Sequence, residues 1–316
     1  MAHRDGVEGR IQGSRIPSSF RNIIPSERFP AEKGRYVLYG NYVCPWAHRA
    51  VIVRGLKGLE GILDLVEVDA RDRTHGWYFS GKSEPSKDRI SGVRWLKELY
   101  LKADPDYKGR ITIPVLWDRQ QETIVNNESA EITRMLCDAF DNLLPPEARE
   151  AQKGPTALIP SQLRTEIDEL NSWVYDTVNN GVYKVGFAAS QTAYNEHTEK
   201  LFMSLDRLED RLSQPGNGPY LFGKYITEAD IRLYTTLIRF DIAYYTLFKC
   251  NMRMIRLDYP RLHDWLRRLY WSEGPETAGG VFKHTTHFDT IRRGYASVLA
   301  GNGVVPTGPV PPIMPL

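Results

Sequence analysis

Cys44 and Pro45 stand where a short β-branched and aromatic run, Tyr36, Val37, Leu38 and Tyr39, gives way through a turn at Gly40 and Asn41 to helical apolar spacing at Ala47, Ala50, Val51, Val53 and Leu56. Proline suits the first position of a helix, where no N–H partner is lost, so the pair puts the cysteine at the helix N-cap or beside it. Unpaired backbone N–H groups and the helix dipole favour negative charge there, and hence the thiolate, which makes Cys44 a candidate nucleophile. A dithiol redox site would carry a second cysteine three residues on, where Ala47 stands instead. A mixed disulfide on Cys44 must then be released by an external thiol, and glutathione is the abundant candidate in a reducing compartment. The bland reading of Cys44 is a small buried hydrophobe, the usual fate of a free cysteine.

Two further places suit a ligand rather than a reaction. Residues 111–117 (ITIPVLW) read as a strand interrupted by Pro114, which is expected at an edge or bend, with a cis peptide bond. Such a bend frees the N–H and C=O of Ile113 to pair with the backbone of a peptide-like ligand. Glu128 and Ser129 open an apolar-periodic helix through Ile132, Met135, Leu136 and Phe140. Ser129 as N-cap, with the helix amides, suits a carboxylate and Glu128 an ammonium, so together they fit an α-amino-acid end. Each also has an ordinary reading, a proline closing an edge strand and a cap beside a dipole-complementing acid.

Residues 62–68 (ILDLVEV) read as a second strand, so 36–68 has the size of a βαβ unit with parallel strands. The polar stretch 69–92, with His75, Trp77, Tyr78 and Phe79, is long for a loop and is a candidate wall of a site. A helix over 93–101 and a strand at 123–126 follow. Pro145, Pro146, Pro155 and Pro160 mark a linker, and the chain beyond is almost all helix. Leu163, Ile167, Leu170, Trp173 and Val174 share one helix face, and Leu201, Leu205, Leu208 and Leu212 another. Thr227 and Asp230 form a capping box, stapled by Ile226 and Ile231, and Trp265, Leu266, Leu269 and Tyr270 mark a later helix. The expected organisation is an arm over 1–35, an α+β domain over 36–144, a linker over 145–160, an all-helical domain over 161–300 and a Gly/Pro-rich tail over 301–316.

The 316 residues, 41% hydrophobic and 25% charged, suit an ordinary two-domain globular protein. A net charge of +2 without a basic block argues against nucleic acid. No run reaches the roughly 18 apolar residues of a membrane span, and the first 35 residues lack the apolar core of a secretory signal. Three cysteines do not make a disulfide framework, so a cytoplasmic location is expected, with Cys137 and Cys250 in the core.

CPWAHR at 44–49, NNES at 126–129, NNGVYKVGFA at 179–188, TEADIRL at 227–233, RFD at 239–241 and FKC at 248–250 resemble, in order, the glutathionyl-hydroquinone reductases. These are the xi class of the glutathione transferases, related to the omega class. The resemblance implies a thioredoxin-like βαβ–ββα domain followed by an all-α domain, glutathione as co-substrate, no metal, and a homodimer. It implies that Cys44 is the catalytic cysteine, Ile113-Pro114 a cis-proline element and Glu128-Ser129 the γ-glutamyl anchor. It also implies further glutathione contacts at Trp95 and Arg110, and an aromatic-substrate pocket formed by Tyr183, Tyr244 and Tyr295. On this reading the Cys44 thiolate attacks the sulfur of an S-glutathionyl-hydroquinone, and a second glutathione resolves the mixed disulfide. Alternative readings are a general omega-like monothiol transferase or dehydroascorbate reductase, a conjugating transferase, which would want a Ser or Tyr hydroxyl in place of the cysteine, and a non-catalytic ligand-binding module.

Overall fold

The computed structural model describes residues 18–72, 74–82, 85–299 and 303–316; residues 1–17 of the expected arm and 301–302 of the tail lie outside the described residues. The chain divides between Lys153 and Gly154 into two compact units.

The first unit is built on a four-stranded sheet of order β2-β1-β5-β6, with β1 Tyr36–Gly40, β2 Asp64–Glu67, β5 Val115–Asp118 and β6 Thr123–Asn126. Every residue of β1 and β5 is buried, as suits inner strands covered on both faces. β1 runs parallel to β2, pairing Gly40 with Glu67, and antiparallel to β5, pairing Tyr39 with Val115. β5 runs antiparallel to β6, pairing Leu116 with Asn126. This register brings the exits of β1, β2 and β6 and the entry of β5 to one end of the sheet. Helix α1, Pro45–Leu56, leaves that end after β1, and α3, Ser129–Asp138, leaves it after β6.

Three local expectations are corrected, and the expected linker is described more closely. The 69–92 stretch is no plain loop: β3, Ala70–Asp72, and β4, Gly76–Tyr78, pair as an antiparallel hairpin. Its turn is made by Asp72, whose Oδ1 accepts the N–H groups of Thr74 at 2.7 Å and His75 at 2.6 Å, while the Arg71 guanidinium lies over the Trp77 ring across the strands. The strand expected from residue 111 begins only after Pro114, because proline offers no ladder donor. The helix expected from residue 93 is α2, Leu96–Ala103, held back because the Glu98 carboxylate accepts the Arg94 and Trp95 N–H groups just ahead of it. The expected linker is a run of 3-10 turns, and up to Lys153 it belongs to the first unit. The buried Lys57 ammonium anchors it, donating to the Ala148 carbonyl at 2.7 Å and to Asp141 at 3.2 Å.

The second unit is helical, with α4 Arg164–Val174, α5 Gly181–Gly186, α6 Gln191–Ser213, α7 Glu228–Leu237, α8 Pro260–Trp271 and α9 Phe288–Leu299 as its principal helices. All ten residues of α7 are buried. The capping box forms: Asp230 Oδ2 accepts from the Thr227 N–H and hydroxyl, both at 2.8 Å, and Oδ1 from Leu221 N at 2.9 Å and Trp265 Nε1 at 2.8 Å. Residues 303–316 contain no helix or strand and are strapped to the unit by carbonyl bonds, from Arg256 to Pro311 and Pro312 and from Trp271 Nε1 to Met314.

Candidate active site

Cys44 is the N-cap of α1, with Pro45 first in the helix, as the sequence predicts. The buried Asn41 fixes the turn that carries it. Its Oδ1 accepts the Val43 N–H at 2.8 Å, its Nδ2 donates to the Val68 carbonyl at 2.9 Å, and its own carbonyl accepts the Cys44 N–H at 3.1 Å. The half-buried Cys44 Sγ lies 3.8 Å from the Ile113 carbonyl. Cationic charge borders the thiol: the Arg71 guanidinium on the β3–β4 hairpin is within electrostatic reach of both Cys44 and Arg110. Arg71 is an exposed residue, yet protein surrounds its guanidinium, and that burial, then the like charge of Arg110, lowers its pKa. Cations beside a helix N-terminus favour a thiolate.

The Ile113-Pro114 peptide bond is cis. Among the described residues the Ile113 N–H has no hydrogen-bond partner and its carbonyl has only the Cys44 thiol. The segment before it is held by Tyr100 of α2. The buried Tyr100 hydroxyl donates to the Thr112 carbonyl at 2.8 Å and accepts from the Thr112 N–H at 3.2 Å and from Asn127 Nδ2 at 3.1 Å. One phenol therefore ties the approach to Pro114 to the approach to Glu128, and burial pushes its pKa up to about 12.

At the start of α3 the expected roles shift by one residue. Glu128 is the N-cap, its carboxylate accepting the Ala130 N–H at 3.2 Å, and Ser129 is the first helical residue. The Ser129 hydroxyl is 3.4 Å from Glu128 Oε1, a long bond that leaves it easily redirected. Trp95 is half-buried against Tyr78 and His75 of the hairpin, with ring centroids 4.8 and 4.9 Å away, and Arg110 is exposed.

Within the second unit, Tyr183, Tyr244 and Tyr295 meet. The Tyr295 hydroxyl is the centre of a chain, 2.7 Å from that of Tyr183 and 2.8 Å from that of Tyr244. Phe248 packs at centroid distances of 5.2, 5.1 and 5.4 Å from the three rings. Two single π-helical turns, Tyr175–Asn179 ahead of α5 and Phe240–Tyr244 after α7, help to aim these side chains, a common device at functional sites. Tyr183 is half-buried, whereas Tyr244 and Tyr295 are buried, and burial holds their pKa values well above 10.

Sequence reasoning missed Asn41 beyond its place in a turn, and it missed Arg71, Tyr100 and Phe248. The Asx turn was readable in principle, since asparagine pairs readily with the backbone two residues on. Arg71 and Tyr100 act through contacts distant in sequence, and Phe248 lies in the FKC block without its spacing showing that it packs on Tyr183 and Tyr295 as well as on Tyr244. Cys137 and Cys250 are buried, as expected.

Family models of the glutathione S-transferase N-terminal domain and C-terminal domain match residues 43–139 and 191–268. Glutathione S-transferase omega-like 2 of Schizosaccharomyces pombe is 46% identical over 93% of this chain and 92% of its own length. Glutathionyl-hydroquinone reductase YqjG of Escherichia coli is 45% identical over 95% of this chain and 89% of its own. The crystal structure of the glutathione-S-transferase Xi from Phanerochaete chrysosporium superposes with a TM-score of 0.87 at 48% identity, covering 96% of this chain and 100% of that one. The glutathione-bound structure of YqjG gives 0.83 at 43% identity, covering 94% and 95%.

Proposed function

The chain belongs to the glutathionyl-hydroquinone reductases of the xi class of glutathione transferases, and from that premise we propose how its residues divide the reaction. The enzyme uses glutathione to reduce S-glutathionyl-hydroquinones to hydroquinones. The Cys44 thiolate attacks the sulfur of the conjugate. A sulfur–sulfur bond forms, the aryl carbon–sulfur bond breaks with its electron pair passing to the ring carbon, and that carbon takes a proton. A second glutathione, as thiolate, attacks the glutathione sulfur of the mixed disulfide, releasing oxidised glutathione and the Cys44 thiolate.

The tripeptide is bound by the first unit in this reading. The free Ile113 N–H and its carbonyl pair with the cysteinyl backbone. The Glu128 carboxylate takes the γ-glutamyl ammonium, and Ser129 with the first amides of α3 takes the γ-glutamyl carboxylate. Trp95 and Arg110 add contacts. Tyr183, Tyr244 and Tyr295 receive the aromatic ring, stabilise charge developing on it and supply the proton, which the raised pKa values of Tyr244 and Tyr295 keep in place at neutral pH.

The observation that carries the reading is a half-exposed cysteine at a helix N-cap while the other two cysteines lie buried, so that the resolving thiol must come from outside. Three cysteines held as thiols favour a cytoplasmic enzyme, and a homodimer is part of the proposal. No helix among the described residues is long and apolar enough to cross a membrane. The test is glutathione-dependent release of free hydroquinone from a synthetic S-glutathionyl-hydroquinone, followed by chromatography. Cys44→Ser is expected to turn over at less than about a thousandth of the normal rate while still binding the conjugate. Turnover retained in that variant would overturn the assignment.

A further inference from the structure

The segment just before the sheet lies against the start of α3. The Asn22 N–H donates to the Val125 carbonyl at 3.0 Å, the Asn127 N–H to the Phe20 carbonyl at 3.1 Å, and the Phe20 N–H to Asn127 Oδ1 at 3.3 Å. Arg21 forks onto Glu131. Residues 20–22 therefore run as an added edge beside the exit of β6, and Ser18, two residues back from Phe20, is brought to Glu128. The Ser18 hydroxyl lies 3.0 Å from Glu128 Oε2 and 3.3 Å from the Asn127 carbonyl.

The two oxygens of Glu128 have different loads. Oε1 accepts from the Ala130 N–H and, at longer range, from Ser129. Oε2 accepts, among the described residues, from Ser18. An ionised carboxylate offers about four acceptor sites, so Oε2 keeps a lone pair for a second donor once Ser18 has fixed its direction. A carboxylate clamped from both sides has lost its rotamer freedom before a ligand arrives, which is how preorganisation raises affinity.

We propose that Ser18 is a positioning residue of the glutathione site: its hydroxyl orients Glu128 so that Oε2 meets the ammonium of the γ-glutamyl group, and the segment ahead of the thioredoxin-like fold thereby completes the anchor. This rests on the reading of Glu128 as that anchor. Ser18 selects for ligands carrying a free γ-glutamyl ammonium and is indifferent to the rest of the tripeptide.

Two non-reactive ligands separate the effects by titration calorimetry: S-methylglutathione, and S-methylcysteinylglycine, which lacks the γ-glutamyl group. Ser18→Ala is expected to weaken S-methylglutathione about fivefold, roughly 1 kcal/mol, and to leave the dipeptide unchanged. Ser18→Thr, which keeps a hydroxyl, is expected to restore binding. In a Glu128→Gln background, itself weakened at least as much, Ser18→Ala is expected to add nothing, the mark of two residues acting through one contact. Full binding by Glu128→Gln would remove the anchor reading and this proposal with it. Weakening by Glu128→Gln with none by Ser18→Ala would overturn the role of Ser18 alone. Equal weakening of both ligands by Ser18→Ala, or an undiminished effect in the Glu128→Gln background, would overturn it too.

Discussion

Tyr100→Phe isolates one atom. The phenol ring is buried against Phe20 and Tyr107, at centroid distances of 5.8 and 5.0 Å, and phenylalanine fills the same space, so no cavity opens. What disappears is an oxygen that donates to the Thr112 carbonyl at 2.8 Å and accepts from Asn127 Nδ2 at 3.1 Å and the Thr112 N–H at 3.2 Å, with the Thr112 hydroxyl a fourth contact at 3.2 Å. At about 1 kcal/mol net each, and with the Thr112 N–H and carbonyl left without that partner, the expected loss is about 2–3 kcal/mol. Asn127 Nδ2 keeps a contact with Thr112 Oγ1 at 3.5 Å, which holds the figure to that range. Denaturant unfolding measures it as a shift of midpoint at unchanged slope. The same oxygen joins the residue before Ile113 to the residue before Glu128, so the KM for glutathione is expected to rise about fivefold, roughly 1 kcal/mol. Burial raises Tyr100 to about 12, above its unfolded value near 10, so its contribution to stability is complete below about pH 10 and falls as pH rises from 10 through 12. Phenylalanine should remove that alkaline loss. A stability change below about 1 kcal/mol would refute the hydrogen-bond accounting, and lost stability with an unchanged KM would refute the link to the site.

Tyr295→Phe removes both hydroxyl contacts of the tyrosine chain, and kcat for hydroquinone release is expected to fall about 10- to 100-fold with S-methylglutathione affinity unchanged, read by steady-state kinetics and calorimetry. A Cβ at Gly186 would stand 2.5 Å from Phe248 Cγ, so Gly186→Ala must displace the ring that all three tyrosines pack on. It is expected to cost about 1–3 kcal/mol by denaturant titration and to lower kcat while leaving the KM for glutathione in place.

The strand-to-helix turn at Cys44, the parallel β1–β2 pair and the cis bond at Pro114 were legible because each has a local cause: a Pro at N1, a βαβ length and a proline inside an apolar run. The capping box at Thr227 was legible for the same reason. The β3–β4 hairpin was not, because three-residue strands carry too little alternation to separate from a polar loop, and its cross-strand Arg71–Trp77 pair exists only once it has folded. The N-cap moved from Ser129 to Glu128 because both residue types can accept from the helix amides and sequence does not choose between neighbours. For the tyrosines, spacing says nothing: residues 183, 244 and 295 are three of seventeen, and motif resemblance alone singled them out before their hydroxyls were found in one chain.

The register of one sheet explains why motifs far apart in sequence come to one end of the first unit. β1 exits where β5 enters and β6 exits, so a cysteine after the first strand, a cis proline before the third and a glutamate after the fourth share an end of the sheet with the hairpin that follows β2. β1 and β5 are packed on both faces, so moving either by a single residue would exchange the side chains of its two packed faces, and the fold cannot slide the three apart without disrupting its core. The tyrosine chain has no such guarantee. It depends on two π-helical turns and on the packing of Phe248 against Gly186, which are side-chain-scale arrangements that small substitutions can change. On the proposed division of the site, substitutions that alter the choice of aromatic substrate are therefore expected to fall around Gly186, Phe248 and the π turns, and those that weaken glutathione to fall at the sheet end.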